Sequence, residues 1–211
     1  VLAFIVGGKP STGILLPMLM LADLFGVGYY HRHARWNYLV RLFPWAFAGL
    51  AVGLWVGEIV SDEWFKNIIA LLVFLSLGLM LWRDRTKGAT FFPETWWFAA
   101  AMGILGGFAT MIGNVAGPVF AIYLLAMHLP KNHFIGTTAW FFLILNVVKF
   151  PLQFFVWNNI TLQSLSINLL MLPAIALGAL SGIWLVKAIP ERTYRLFVIV
   201  VTALSAFLLL I

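Results

Sequence analysis

The chain has 211 residues, 63% of them hydrophobic and only 9% charged, with 13 Lys and Arg against 7 Asp and Glu for a net charge of +6. Mean hydropathy is +1.01, so too little polar surface is available to cover a soluble core, and the composition reads as an integral membrane protein rather than a water-soluble domain. The absence of Cys excludes disulfides, thiolate metal sites and any mechanism in which a cysteine sulfur handles the substrate.

A hydrocarbon core of about 30 Å requires roughly 17–25 apolar residues per helix. Runs of that kind fall at 13–30, 39–60, 64–82, 96–128, 134–157, 164–188 and 193–211. They are too long and too uniformly apolar for barrel strands, so the fold class is all-α, a polytopic bundle of transmembrane helices. Trp36, Trp64, Trp82, Trp96, Trp97 and Trp157 stand near the run ends, where an amphipathic ring suits the headgroup layer. The chain opens with Val1 inside an apolar run and shows no signal peptide, which reads as a fragment or trimmed product.

In the first run, Asp23 sits within LLPMLMLADLFG. It is either a solvated carboxylate one turn from the surface or the candidate carrier of a coupling proton, able to pair with a lysine across the bundle. The following loop contains His31, Arg32 and His33, too few ligands for a metal site. In the second run, PWAFAGLAVGLW at 44–55 returns as PAIALGALSGIW at 173–184, at an offset of 129. An offset of 123 aligns Gly13 with Gly136 and Asp23 with Asn146. The chain therefore reads as two copies of one unit, repeat one over 1–90 and repeat two over 91–211. Repeat one lacks a partner for the Gly-rich stretch near 96–123, so a comparable segment is expected before Val1.

Lys and Arg counts set orientation. If 96–128 enters the membrane and returns, ten of the 13 basic residues fall on the cytoplasmic side, leaving Lys9 and Lys66 outside and Lys149 within the membrane. This count predicts inverted repeats and a broken, re-entrant Gly-rich helix pair. Gly103, Gly106, Gly107, Gly113, Gly117 and Pro118 supply the weak points. Close helix packing accounts equally well for Gly103 and Gly107. At Gly113, Asn114, Gly117 and Pro118 a break is favoured, where an unwound backbone and half-helix dipoles offer donors to an anion.

Farther on, Thr137 and Thr138 follow Gly136 at an expected helix start, where their hydroxyls either cap the helix or bind an oxyanion. Lys149 lies three residues after Asn146 and deep in its run. A buried lysine costs roughly 2.5–3.5 kcal/mol on insertion scales, so it either faces a cavity or partner or snorkels to an interface past Pro151. No nucleophile elbow, metalloprotease helix or phosphate-binding loop is present, so the chain does not read as an enzyme. No cofactor, metal or nucleic-acid partner is called for.

On these residues the sequence resembles the sulfite exporter TauE/SafE family, also called the 4-toluene sulfonate uptake permease family. The resemblance rests on the Gly-rich break ending in Gly117 and Pro118, on Leu129, Pro130 and Lys131, and on the Gly136–Thr137–Thr138 run. It covers nearly the whole chain, although the family's first Gly-rich segment is absent. It implies a multi-pass permease of the inner membrane that carries sulfite, a sulfonate or a related small organosulfur anion, with the lipid bilayer as its other partner and a homodimer compatible with it. The expected mechanism is alternating access, with Gly113, Asn114, Gly117, Pro118, Thr137, Thr138, Asn146 and Lys149 binding substrate and Asp23 available for coupling. An anion channel and a non-transporting assembly or sensor subunit are the competing readings.

Overall fold

The computed structural model describes residues 7–61, 95–127 and 129–190, with scattered positions from 63 to 78 and from 193 to 200. Lys66, the loop at 83–94, Trp82 and most of the 64–82 and 193–211 runs lie outside the described residues. The described residues form helices and no strand. These are α1 (Gly8–Tyr30), a 3₁₀ turn (His31–His33), α2 (Trp36–Ile59), α3 (Trp96–Gly113), α4 (Gly117–Ala126), α5 (Lys131–Pro151), a π turn (Leu152–Val156) and α6 (Leu162–Ala188). Among the described residues five spans are long and apolar enough to cross a membrane: α1 with its 3₁₀ turn, α2, α3, α5 with its π turn, and α6. Several helices begin three to five residues before their apolar run, because helical pairing can carry polar backbone through the interfacial layer.

One end of each helix compared at the repeat offsets keeps the spacing, while the other ends, Tyr30 against Pro151 and Trp36 against Leu162, depart from it. Adding 123 carries Gly8 to Lys131, the first residue of α5, and adding 129 carries Ile59 to Ala188, the last residue of α6. Pro44 and Pro173, equivalent by the same 129, both lie inside their helices.

The expected break in the Gly-rich run is present between Gly113 and Gly117. Asn114 takes the left-handed conformation at φ 55°, which its short polar side chain tolerates. Its N–H bonds back to Thr110 O at 3.1 Å, and Val115 N–H to Ala109 O at 3.3 Å, which closes the helix end. Downstream, α4 folds back along α3, with the Phe98 and Tyr123 rings 5.9 Å apart. The Trp45 and Trp96 rings are 6.3 Å apart, and Tyr123 Oη donates to Tyr38 O at 3.3 Å. The start of α3 and the end of α4 therefore both lie beside the first half of α2.

Close packing of α2 on α3 accounts for Gly103 and Gly107. A methyl group on Gly103 would stand 2.6 Å from Trp45 Cβ, and one on Gly107 would collide with the Ala46 carbonyl. Across the same seam a methyl on Gly49 would collide with Ile104 O. Small residues on both helices thus allow backbone-to-backbone contact, the main source of association where lipid is as apolar as the side chains. The buried core continues through Phe120 and Phe141, stacked at 3.9 Å.

One sequence expectation changes at Trp157. The ring is buried, lies against Gly57 and carries Lys9 Nζ 5.1 Å from its centroid, so it packs two helix ends together instead of anchoring in headgroups. Trp36, Trp64, Trp96 and Trp97 are exposed.

Candidate anion site

Helices α1 and α5 run antiparallel in contact along their length. Gly13 meets Asn159, Thr12 meets Gln153, Asp23 meets Asn146 and Gly136 meets the Tyr30 carbonyl. Where this pair passes the α3–α4 break, polar side chains converge. Lys149 is fully buried, and its Nζ donates to Thr110 Oγ1 at 3.2 Å, to Asn146 Oδ1 at 3.4 Å and, in a short contact, to Asn114 Oδ1. The regular helix does end at Pro151, but Lys149 is fully buried and all three ammonium protons find protein acceptors, so the lysine lies in this cluster rather than reaching outward.

Asn146 lies between the two charges. Its Oδ1 accepts from Lys149, while its Nδ2 donates to Asp23 Oδ2 at 2.7 Å. Asp23 is half-buried and seven residues, about 10 Å of helix, short of Tyr30 at the end of α1. Asp23 is thus about two turns inside the end of α1, keeps partial exposure and is hydrogen-bonded to α5. Its partner on α5 is an amide that relays to the lysine.

Asn114 is held from both sides, since its Nδ2 donates to Thr12 O at 3.2 Å. The left-handed turn that breaks the helix thus also aims this side chain between α1 and Lys149. Gly113 ends α3, Gly117 begins α4, and Pro118 occupies the first turn of α4, where a missing N–H breaks no helical bond.

Thr137 and Thr138 are placed elsewhere. Helix α5 starts at Lys131, not at Gly136, so both threonines lie two turns inside it. Thr137 Oγ1 donates to His133 O at 2.6 Å and accepts from Arg35 N at 3.0 Å. Thr138 Oγ1 donates to Phe134 O at 2.8 Å. Twelve residues separate Thr137 from Lys149, about 18 Å along the helix, so these hydroxyls and the lysine belong to different ends of α5.

The threonine end is a structural junction. His133 Nδ1 lies 2.7 Å from His33 O, and its Nε2 lies 3.2 Å from Arg35 Nη2. Lys131 Nζ donates to Val186 O and Ile189 O, each at 2.8 Å, capping the negative end of α6. The Leu129–Pro130–Lys131 motif thus has a visible task in tying α5 to α6.

Three further members of the cluster, Thr12, Thr110 and Gln153, escape a reading of the sequence. Thr110 stands one turn before Asn114, and Gln153 one turn after Lys149, so helical spacing from the named residues is the available signal. Thr12 has none, since its contacts depend on the packing of α1 against the break.

The family model described as sulfite exporter TauE/SafE matches residues 1–209. No curated protein and no solved structure matches the chain. With the match spanning almost every residue and five helices able to cross a membrane, this chain belongs to the TauE/SafE sulfite exporter family and is a multi-pass membrane protein.

Proposed function

We propose that the chain carries a small sulfur oxyanion or sulfonate across the bacterial-type inner membrane by alternating access, binding it beside Lys149. The observation that carries this reading is the fully buried ammonium at the helix break, surrounded by the neutral groups of Thr110, Asn114 and Asn146. A charged lysine is retained inside a membrane protein only where a partner or function balances its desolvation. An arriving oxyanion would replace the long contacts to Asn146 and Thr110 with charge-assisted ones. Gly113 and Asn114 shape the break, and Gly117 and Pro118 open α4, where Pro118 has no N–H and Phe120 N–H already bonds Ala116 O, so the Gly117 and Val119 N–H groups are the donors this turn would add.

Thr137 and Thr138 take a supporting role in this proposal, Thr137 fixing α5 against the 31–35 turn and Thr138 bonding only within α5. Asp23 serves coupling. With Lys149 and Asp23 charged the cluster is neutral; a monoanion makes it net negative, and a proton on Asp23 restores balance. Anion and proton would therefore move together.

The repeats are inverted in this reading, with 1–90 and 91–211 related by an axis in the membrane plane. It is supported by the antiparallel α1–α5 contact and by the Asp23–Asn146 hydrogen bond between equivalent positions. The re-entrant placement of α3 and α4 is supported by the ring contacts that bring Trp96 and Tyr123 to the same end of α2.

Uptake of labelled sulfite into proteoliposomes, with sulfate, thiosulfate and a small sulfonate as competitors, tests the proposal. Saturable flux blocked by a competitor is expected. Flux no greater than that of empty liposomes would refute sulfite transport, and non-saturating flux would identify a channel.

A further inference from the structure

Regular α-helical pairing in α5 stops at Pro151, and the next five residues form the π turn, with Trp157 N–H bonded to Leu152 O at 3.2 Å. Such turns are uncommon, and they recur where a side chain must be redirected at a functional site. The residue redirected here is Gln153, which is fully buried. Its Oε1 lies 3.4 Å from Thr12 Oγ1, but the Thr12 proton is already directed to Lys9 O at 2.8 Å. Gln153 Nε2 has no acceptor among the described residues.

This amide belongs to the lysine cluster. Gln153 touches Thr12, the Thr12 carbonyl accepts from Asn114 Nδ2, and Asn114 Oδ1 accepts from Lys149. Lys149 and Gln153 are four residues apart in sequence, one before and one within the π turn. The cluster thus has one cation whose protons are shared among neutral groups and one buried amide that is paired at one end only. A buried donor without an acceptor is unfavourable unless a ligand supplies one.

We propose that Gln153, positioned by Thr12, is a specificity-determining ligand for the substrate, donating to a second oxygen of an oxoanion whose first oxygen is held by Lys149. The inference rests on the reading of Lys149 as the anion site. It selects sulfur oxyanions and sulfonates, which present several oxygens on one centre, over single-atom anions such as chloride. Rotating the Gln153 amide by half a turn would point N–H₂ at the Thr12 oxygen and leave the carbonyl as the unspent group. The amide can therefore present either end, and a bound anion draws out the N–H₂.

The test is labelled-sulfite uptake by wild type, Gln153→Leu, Gln153→Asn and Gln153→Glu, with chloride as competitor and thermal unfolding of the purified proteins in sodium sulfite. The expected result is a KM for sulfite raised about tenfold in Gln153→Leu and further in Gln153→Glu, with turnover changed less than twofold. Gln153→Asn, which keeps the amide, should fall between, and the advantage of sulfite over chloride should shrink in step. If Gln153→Leu fails to fold, the Asn and Glu variants carry the comparison. An unchanged KM and unchanged stabilisation by sulfite, in variants whose flux still depends on Lys149, would overturn the role of Gln153 alone. Loss of Lys149 dependence in the wild-type background would overturn the site reading itself.

Discussion

Asn146 Nδ2 donates to Asp23 Oδ2 at 2.7 Å, and the two residues are 123 positions apart, the offset that also aligns Gly13 with Gly136. Under a twofold relation, equivalent residues touch only near the axis. Contacts on either side follow the same antiparallel pattern, with Thr12 near Gln153 and Gly136 near Tyr30. In the proposed inverted-repeat reading, the Asp23 carboxylate and the Asn146 amide meet where an in-plane axis would cross the α1–α5 pair, beside Lys149. Such a junction is a natural pivot for alternating access.

If Asp23 carries the coupling proton, Asp23→Asn keeps a hydrogen-bonding side chain opposite Asn146 but cannot change charge. Sulfite flux should persist at a reduced rate and lose its response to an imposed pH gradient. Uptake measured with the gradient on and off checks this, and an undiminished response would remove Asp23 from the coupling step.

The α2–α3 seam gives a stability prediction with its own control. A leucine at Gly107 must displace the Ala46 backbone, and overpacking of this kind costs roughly 1–3 kcal/mol or more. A methyl group added at Gly178 would meet nothing within 4 Å, so Gly178→Leu should leave stability near wild type. Thermal unfolding in detergent compares the two, and equal losses would contradict the seam.

Thr137 and Thr138 separate structural from transport roles. Thr137→Val removes the acceptor for Arg35 N–H and should destabilise by about 1 kcal/mol, with KM for sulfite unchanged. Thr138→Val removes only a bond to its own helix and should have little effect on either quantity. A several-fold rise in KM in either variant would place that hydroxyl on the substrate path.

Much of the bundle is legible in the chain because a membrane leaves few choices for an apolar run, and a break at Asn114 follows from glycine and proline crowding in such a run. The placement of Thr137 is not, because polar His133 and Asn132 mask a helix that starts at Lys131, and Gly136 offers a false start in its place. Trp157 misleads for a similar reason, since a ring at a run end looks the same whether it meets lipid or a neighbouring glycine such as Gly57. Gln153 lies one helical turn after Lys149, a spacing the sequence does show, whereas Thr12 depends on the packing of α1 against the helix break, which no local spacing records.

Transport by this chain turns on whether the Lys149 ammonium holds the anion. Lys149→Met removes the cation that balances Asp23 and leaves the Thr110, Asn114 and Asn146 oxygens without their donor, a change that costs about 3–5 kcal/mol at buried sites, so the folded fraction is measured first and uptake is expressed per folded protein. The decisive measurement is labelled-sulfite uptake by wild-type and Lys149→Met proteoliposomes at matched content of folded protein. Saturable uptake is expected in the wild type and a loss of at least about a hundredfold in the variant, in line with losing a charge-assisted contact worth a few kcal/mol; wild-type uptake by a folded Lys149→Met protein would contradict an anion site at this lysine.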